Sequence, residues 1–195
     1  MQESPNPQRR SERSHRATLK AALDLCAEQG YAQVTVEGIA ARAGVSKKTI
    51  YRWWPSKGAV MLEAIDEAAL QPTGFSDTGD LAADLHQQMS GTLSLLTDAG
   101  IRSAILGVLA EGLQDSQLAG QVHGSLFKPR IDSFKERMRK AQQQGELAAE
   151  ADVDVALDLL YGPIWHRLVA HLPLPDGPYL SKIIDAALAA VNRRA

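Results

Sequence analysis

The stretch TVEGIAARAGVSKKTIYRWWPSK, Thr35 to Lys57, decides the fold. Its apolar residues Val36, Ile39, Ala40 and Ala43 recur at helical spacing, and after Gly44 a second helical set follows with Val45, Ile50 and Trp54. Thr35 and Ser46 stand where N-caps are needed, since a hydroxyl there accepts from a first-turn backbone N–H that has no intrahelical partner. Gly44 lies between the two sets, and glycine takes the positive φ of a sharp reversal without steric cost. Two short amphipathic helices around a tight turn make a helix-turn-helix.

In the second helix Ile50 and Trp54 share one face, which leaves Lys47, Lys48, Tyr51 and Arg52 on the opposite one. Lys and Arg donate to guanine O6 and N7 and also suit phosphate, while Tyr offers a hydroxyl donor and a ring for thymine methyl contact. That face is predicted to enter a major groove of double-stranded DNA.

On the N-terminal side, a helix from about Ser11 to Gln29 is predicted to bury Leu19, Ala22, Leu25 and Cys26 and to end at Gly30, bracing the pair from behind. The single cysteine, Cys26, cannot form an internal disulfide and reads as core packing rather than a redox or metal group. Met1 to Arg10 contains prolines and no apolar period, so it is expected to be a disordered basic arm. Its arginines, with Arg13 and Arg16 following, either enter an adjacent minor groove or add only diffuse attraction. On the C-terminal side Pro55 breaks the recognition helix and Ser56 caps a connector with the stripe Val60, Met61, Ala64, Ile65 and Ala68. The run QPTGFSDTG, Gln71 to Gly79, has little periodicity and reads as a boundary. The expected organisation is an arm at 1–10, a DNA-binding domain at 11–58, a connector and linker at 59–79, and a body at 80–195.

Charge divides the chain in the same way. Met1 to Gly58 carries 10 Lys+Arg against 5 Asp+Glu, and the remainder carries 11 against 18, within a formal net charge of -2. A basic head is what counterion release from a phosphate backbone requires, and an acidic body stays off DNA. The chain is 45 % hydrophobic and 23 % charged over 195 residues, which suits a folded protein with a sizeable core. No apolar run approaches the roughly 20 residues of a membrane span, and the N-terminus has no signal-peptide pattern, so a cytoplasmic location without membrane contact is expected.

Thr35-Val36, Ile39-Ala40, Ala43-Gly44-Val45-Ser46, Thr49-Ile50-Tyr51 and Ser56-Lys57 resemble the DNA-binding signature of TetR-family transcriptional repressors, with its spacing and no insertion. Trp54 departs from the family's usual Phe, Trp53 from its usual His or Tyr, and Cys26 from a usual Phe. The resemblance implies that Thr35, Ser46, Thr49, Tyr51 and Lys57 hold phosphates and that Lys47, Lys48, Arg52 and Trp53 face bases. Trp53 either stacks on the sugar-phosphate edge or folds back toward the core.

The rest of the chain reads as helices at Asp80–Asp98, Ile101–Leu113, Asp115–Leu126, Pro129–Gln144, Val153–His171 and Pro178–Arg193, with no run of period two. The expected fold is therefore all-α, a three-helix DNA-binding domain followed by a larger helical ligand-binding and dimerisation domain. Pro163 lies inside an otherwise convincing helix, and a kink is expected there. Phe127-Lys128-Pro129-Arg130 and the segment from Leu159 to Leu168 resemble C-terminal domains of one branch of the same family. That resemblance implies a homodimer through the last two helices. Ile183, Ile184, Ala187, Leu188 and Val191 recur at a spacing that serves either a two-fold interface or an intramolecular core.

The five histidines are scattered, no Gly-rich phosphate loop or nucleophile elbow is present, and no spacing suggests a triad. Neither a catalytic site, nor a metal, nor a cofactor is expected. The resemblance implies a palindromic operator and a small-molecule effector that releases it; Met89, Phe127 and Trp165 either line the effector pocket or serve as core. The alternative is a constitutive DNA-binding dimer whose body serves only assembly or protein docking.

Overall fold

The computed structural model describes residues 7–69 and 75–192, and among them every regular element is helical. The chain forms two compact units, Met1–Leu70 with Asp98–Leu126 and Gln71–Thr97 with Phe127–Ala195. No single helix among the described residues is long and apolar enough to cross a membrane.

The first unit begins with α1 (Pro7–Gln29). It starts at Pro7 rather than Ser11, because proline suits a first helical turn, where its fixed φ is already helical and its missing N–H would have had no partner. Residues 7–10 of the expected arm are thus helical, and the rest of that arm lies outside the described residues. Gly30 follows at φ 79°, then a 3-10 turn at Tyr31–Gln33, α2 (Val36–Ala43), α3 (Lys47–Tyr51) and α4 (Lys57–Ala68). Leu19, Ala22, Leu25 and Cys26 of α1 are buried, as are Val36, Ile39 and Ala40 of α2 and Val60, Met61, Ala64 and Ile65 of α4. Cys26 lies 3.6 Å from the Met61 sulfur, and burial pushes its thiol pKa up to about 11, so it is an inert core group.

Asp98–Leu126 belongs to this first unit as well. Asp98 caps α6 (Ala99–Gly112), Asp115 caps α7 (Ser116–Gln121), and a π-helical turn follows at Val122–Phe127. Two glycines let α6 close on the N-terminal helices. A Cβ on Gly100 would meet the Leu23 carbonyl oxygen of α1 at 2.5 Å, and a Cβ on Gly107 would overlap the Tyr31 ring. Tyr31 is held from every side: its N–H donates to Ser103 Oγ at 2.9 Å, its hydroxyl donates to Glu111, and Lys57 Nζ sits 3.9 Å above its ring. Burial, with the Glu111 carboxylate beside it, pushes the Tyr31 hydroxyl far above the usual phenol range. The ring therefore cannot swing aside cheaply. Gly107→Ala is expected to lower stability by about 1–3 kcal/mol, the range for overpacking a filled core; thermal melting and the loss of Tyr31 burial check it.

The second unit contains α5 (Leu81–Thr97), α8 (Lys128–Gln144), α9 (Val153–Val169) and α10 (Gly177–Val191). Pro129 sits in the first turn of α8, and Gly145 closes that helix at φ 80°. Helix α9 passes through Pro163 as one element. The ring removes only the donor to the Leu159 carbonyl, and it does so beside the exposed Gly162, where solvent can satisfy that oxygen. The helix ends at Val169, ahead of the expected His171, because His171 adopts φ 54° and Leu172 N then donates to Arg167 O at 2.9 Å.

Ala156, Leu160, Ile164 and Leu168 of α9 are buried, as are Leu180, Ile184, Ala187 and Val191 of α10. Of the C-terminal stripe that served either an interface or a core, Ile184, Ala187 and Val191 thus belong to the core of the unit itself. Among the described residues of this unit the exposed large apolar side chains are Val155, Leu159, Val169, Leu172 and Tyr179.

One polar cluster is buried in this unit. Arg137 of α8 and Asp84 of α5 are 2 % and 1 % exposed, and their closest approach is 2.7 Å. Arg137 also donates to Glu146 at 3.0 Å and to the Ser76 carbonyl at 3.2 Å, while Thr78 donates to Asp84 through its hydroxyl at 2.7 Å and its N–H at 3.2 Å.

Candidate nucleic-acid interface

The geometry of the helix pair follows from its caps. Thr35 Oγ1 accepts from Gly38 N at 3.1 Å, and Ser46 Oγ accepts from Thr49 N at 3.1 Å. Gly44 takes φ 67°, and Val45 N donates back to Ala40 O at 3.0 Å, so the chain reverses within one residue of the end of α2. Ile50 and Trp54 are 1 % and 4 % exposed and anchor α3 to the core. Lys47, Lys48, Tyr51 and Arg52 are exposed on its other side.

One salt bridge ties this pair to α1 and another joins its two helices. Arg42 of α2 donates through both terminal nitrogens to Glu28 of α1, at 2.5 and 2.6 Å. Lys47 donates to Glu37 at 2.9 Å, which keeps Glu37 below the usual carboxylate range and Lys47 above the usual amine range. Both pairs are solvated, so their part in stability is small. Their effect is to fix direction.

Beside the exposed face of α3 lies a cleft of about 500 Å³ lined by Ser11, Ser14, Gly44, Val45, Ser46, Thr49 and Arg52. Four hydroxyls and a guanidinium in one concavity can donate to an anionic backbone. The structure thus brings Ser46, Thr49 and Arg52 together, with Lys47, Lys48 and Tyr51 on the adjoining helix surface. Thr35 is exposed at the start of α2.

The remaining two residues of the predicted set have different surroundings. Trp53 is half-buried and packs on the rings of His15 at 4.3 Å and Trp54 at 5.5 Å, so it is folded back, with the Arg52 guanidinium 5.7 Å from its ring. Lys57 is turned toward Tyr31, donating to its carbonyl at 3.3 Å with Glu111 4.0 Å away. Sequence reasoning also missed the partners that make these arrangements, His15 and Glu111. Both lie well outside the motif in the chain, and no spacing rule connects them to it.

Of the residues read as effector contacts or core, Met89 is fully buried in α5, while Phe127 and Trp165 are half-buried and meet edge to face at 5.4 Å. Phe134 meets Phe75 at 5.9 Å and Tyr161 at 6.0 Å in the same unit. Among the described residues no group of three His, Cys, Asp or Glu side chains converges as a metal site would require.

Comparison with known proteins agrees with this geometry. Residues 19–64 match the family model described as bacterial regulatory proteins, tetR family, and residues 75–187 match the tetracyclin repressor-like C-terminal domain. The chain is 36 % identical over 183 residues to the HTH-type transcriptional regulator YdeS of Bacillus subtilis strain 168, covering 94 % of this chain and 92 % of that protein. It is 28 % identical over 186 residues to the DNA-binding transcriptional repressor TetR of Mycobacteroides abscessus, covering 94 % and 96 %. The crystal structure of the TetR family transcription regulator SCO0332 superposes with a TM-score of 0.71 at 31 % identity, over 91 % of this chain and 98 % of that one. A capped helix-turn-helix with a basic outer face, a helical C-terminal unit, and matches over nearly the whole chain lead to one conclusion: this chain belongs to the TetR family of transcriptional regulators.

Proposed function

We propose that this regulator is a ligand-responsive repressor that binds a palindromic operator as a homodimer and leaves it when a small molecule binds its helical body. The observation that carries the operator reading is the exposed polar face of α3, Lys47, Lys48, Tyr51 and Arg52, beside the hydroxyl-lined cleft of Ser46 and Thr49. In this reading Lys48, Tyr51 and Arg52 meet bases, Ser46 and Thr49 hold phosphates, and Lys47 exchanges Glu37 for DNA. Thr35 holds a further phosphate from the start of α2. Lys57 reaches a phosphate only by leaving Tyr31, and Trp53 acts by bracing the end of α3 rather than by touching a base.

The dimer reading is supported by the uncovered apolar side chains of α9 and α10, since exposed apolar residues grouped on one pair of helices mark an interaction surface. A second copy of the chain supplies the same surface by two-fold symmetry and sets two heads for successive major grooves. The effector shifts this arrangement only by its difference in affinity for the two states. Phe127, Trp165 and Met89 are its proposed contacts, and the cytoplasm is its proposed location.

The test is a mobility shift on the DNA upstream of the chain's own gene, followed by selection of binding sites from random DNA. Arg52→Ala is expected to cost about 1–3 kcal/mol on the preferred operator and to relax preference at one base position. An unchanged selected sequence removes Arg52 from base recognition. Failure of a metabolite panel to shift either thermal stability or the DNA complex favours the constitutive dimer.

A further inference from the structure

Three elements of the first unit meet at one ammonium. Lys57 begins α4, and its Nζ lies 3.9 Å from the centre of the Tyr31 ring, donates to the Tyr31 carbonyl at 3.3 Å and stands 4.0 Å from Glu111 Oε2. Glu111 comes from α6 and is itself held on both sides. Its Oε2 accepts the Tyr31 hydroxyl at 2.5 Å, and its Oε1 lies against the first turn of α4, where a Cβ on Gly58 would stand 3.6 Å away. That Cβ would also press on Leu118 at 3.0 Å, so the bare backbone of Gly58 is what lets the carboxylate and Leu118 come this close.

The charge of Lys57 is therefore engaged before any DNA arrives. Its ammonium rests on the negative face of an aromatic ring and is balanced by a carboxylate, and a phosphate has to displace it from both. The displacement is feasible. The Lys57 side chain is 22 % exposed and that of Glu111 38 %, and a flexible four-carbon stem lets the ammonium turn outward while α4 stays in place. Of the groups holding Lys57, Glu111 alone carries a negative charge, and it lies outside the helices that read DNA.

We propose that Glu111 is a positioning residue for DNA binding: it holds Lys57 inward, competes with phosphate for the ammonium and so sets the affinity of the head for every DNA sequence alike. Phosphate carries no base identity, so removing the competitor raises affinity and leaves sequence preference unchanged. This inference rests on the operator reading, in which Lys57 meets a phosphate.

The test is fluorescence anisotropy of the full-length protein at low ionic strength with two labelled duplexes, one of random sequence and one from upstream of its own gene. Glu111→Gln removes the charge but keeps an acceptor for the Tyr31 hydroxyl. It is expected to tighten both duplexes by the same factor, about two- to fivefold. In a Lys57→Met background the same substitution is expected to lose most of that gain. Weaker or unchanged binding, as a merely structural Glu111 would give, or an equal gain in both backgrounds, as a general loss of negative charge would give, overturns the proposal. Lys57→Met alone separates the two ways of failing. If it leaves both duplexes unchanged, Lys57 meets no phosphate and the operator reading of that residue falls; if it weakens both while Glu111→Gln does nothing, only the competition falls.

A second measurement needs no substitution. With lysine labelled at its ε-methylene, the Lys57 resonance is expected to be shifted upfield by the Tyr31 ring in the free protein and to return toward the ordinary lysine position when the random duplex is added. A ring shift retained in the complex overturns the proposal.

Discussion

Arg137→Ala is expected to destabilise the second unit by about 3–5 kcal/mol, the range for removing one partner of a buried ion pair. The reason is what stays behind: Asp84, at 1 % exposure, keeps its charge with only Thr78 to satisfy it. Urea titration, with hydrogen exchange read on α5 and α8, measures the loss, and a midpoint equal to that of the unmodified protein contradicts it. Asp84→Leu combined with Arg137→Met is expected to recover part of the loss, because it removes both charges of the buried pair, while Glu146, at 15 % side-chain exposure, still loses its partner.

The same cluster sets an acid limit. Burial works to raise the Asp84 pKa, but hydrogen bonds from Thr78 and Arg137 outweigh it and hold the carboxyl below its ordinary value. A carboxyl lowered in the folded state stabilises fully above its unfolded pKa, about 3.9, and loses that contribution as pH falls through the folded value. Stability of the second unit should therefore fall below about pH 4, and Arg137→Ala should flatten that slope.

Leu159→Asp is expected to leave the subunit folded and to abolish the proposed dimer. Leu159 is 40 % exposed, between Val155 and the exposed end of α9 at Val169, so a carboxylate there is solvated in the isolated chain. In a two-fold interface it is buried twice, and about 2–3 kcal/mol per copy weakens association roughly a thousandfold or more. Sedimentation should show a monomer with unchanged circular dichroism, and operator binding should fall with it. A dimer that persists at micromolar concentration places the interface elsewhere.

How far each feature was legible depends on the range of the interaction behind it. The caps at Thr35, Ser46 and Ser56 and the reversal at Gly44 join residues a few positions apart, and each stands where its sequence pattern puts it. The direction of α3 was legible for the same reason, because Ile50 and Trp54 alone determine which face is left for Lys47, Lys48, Tyr51 and Arg52. Trp53 was ambiguous because a half-apolar ring next to a helix end suits either side, and the choice was made by His15, on a different helix. The phosphate role of Lys57 is implied by the family resemblance, and nothing near it in the chain reveals that Tyr31 and Glu111 converge on its ammonium.

The sequence by itself determined the helical class, the helix-turn-helix with its caps, the basic head and the family, because all of these rest on periodicity, local backbone bonding and composition. Only the tertiary structure decided that Asp98–Leu126 packs with the head, that Ile184, Ala187 and Val191 serve the core of their own unit, and that Trp53 folds back onto His15. Those outcomes depend on contacts between residues tens of positions apart, such as Tyr31 against Gly107. A one-dimensional pattern shows which residues seek burial, and only packing selects the neighbour that buries them.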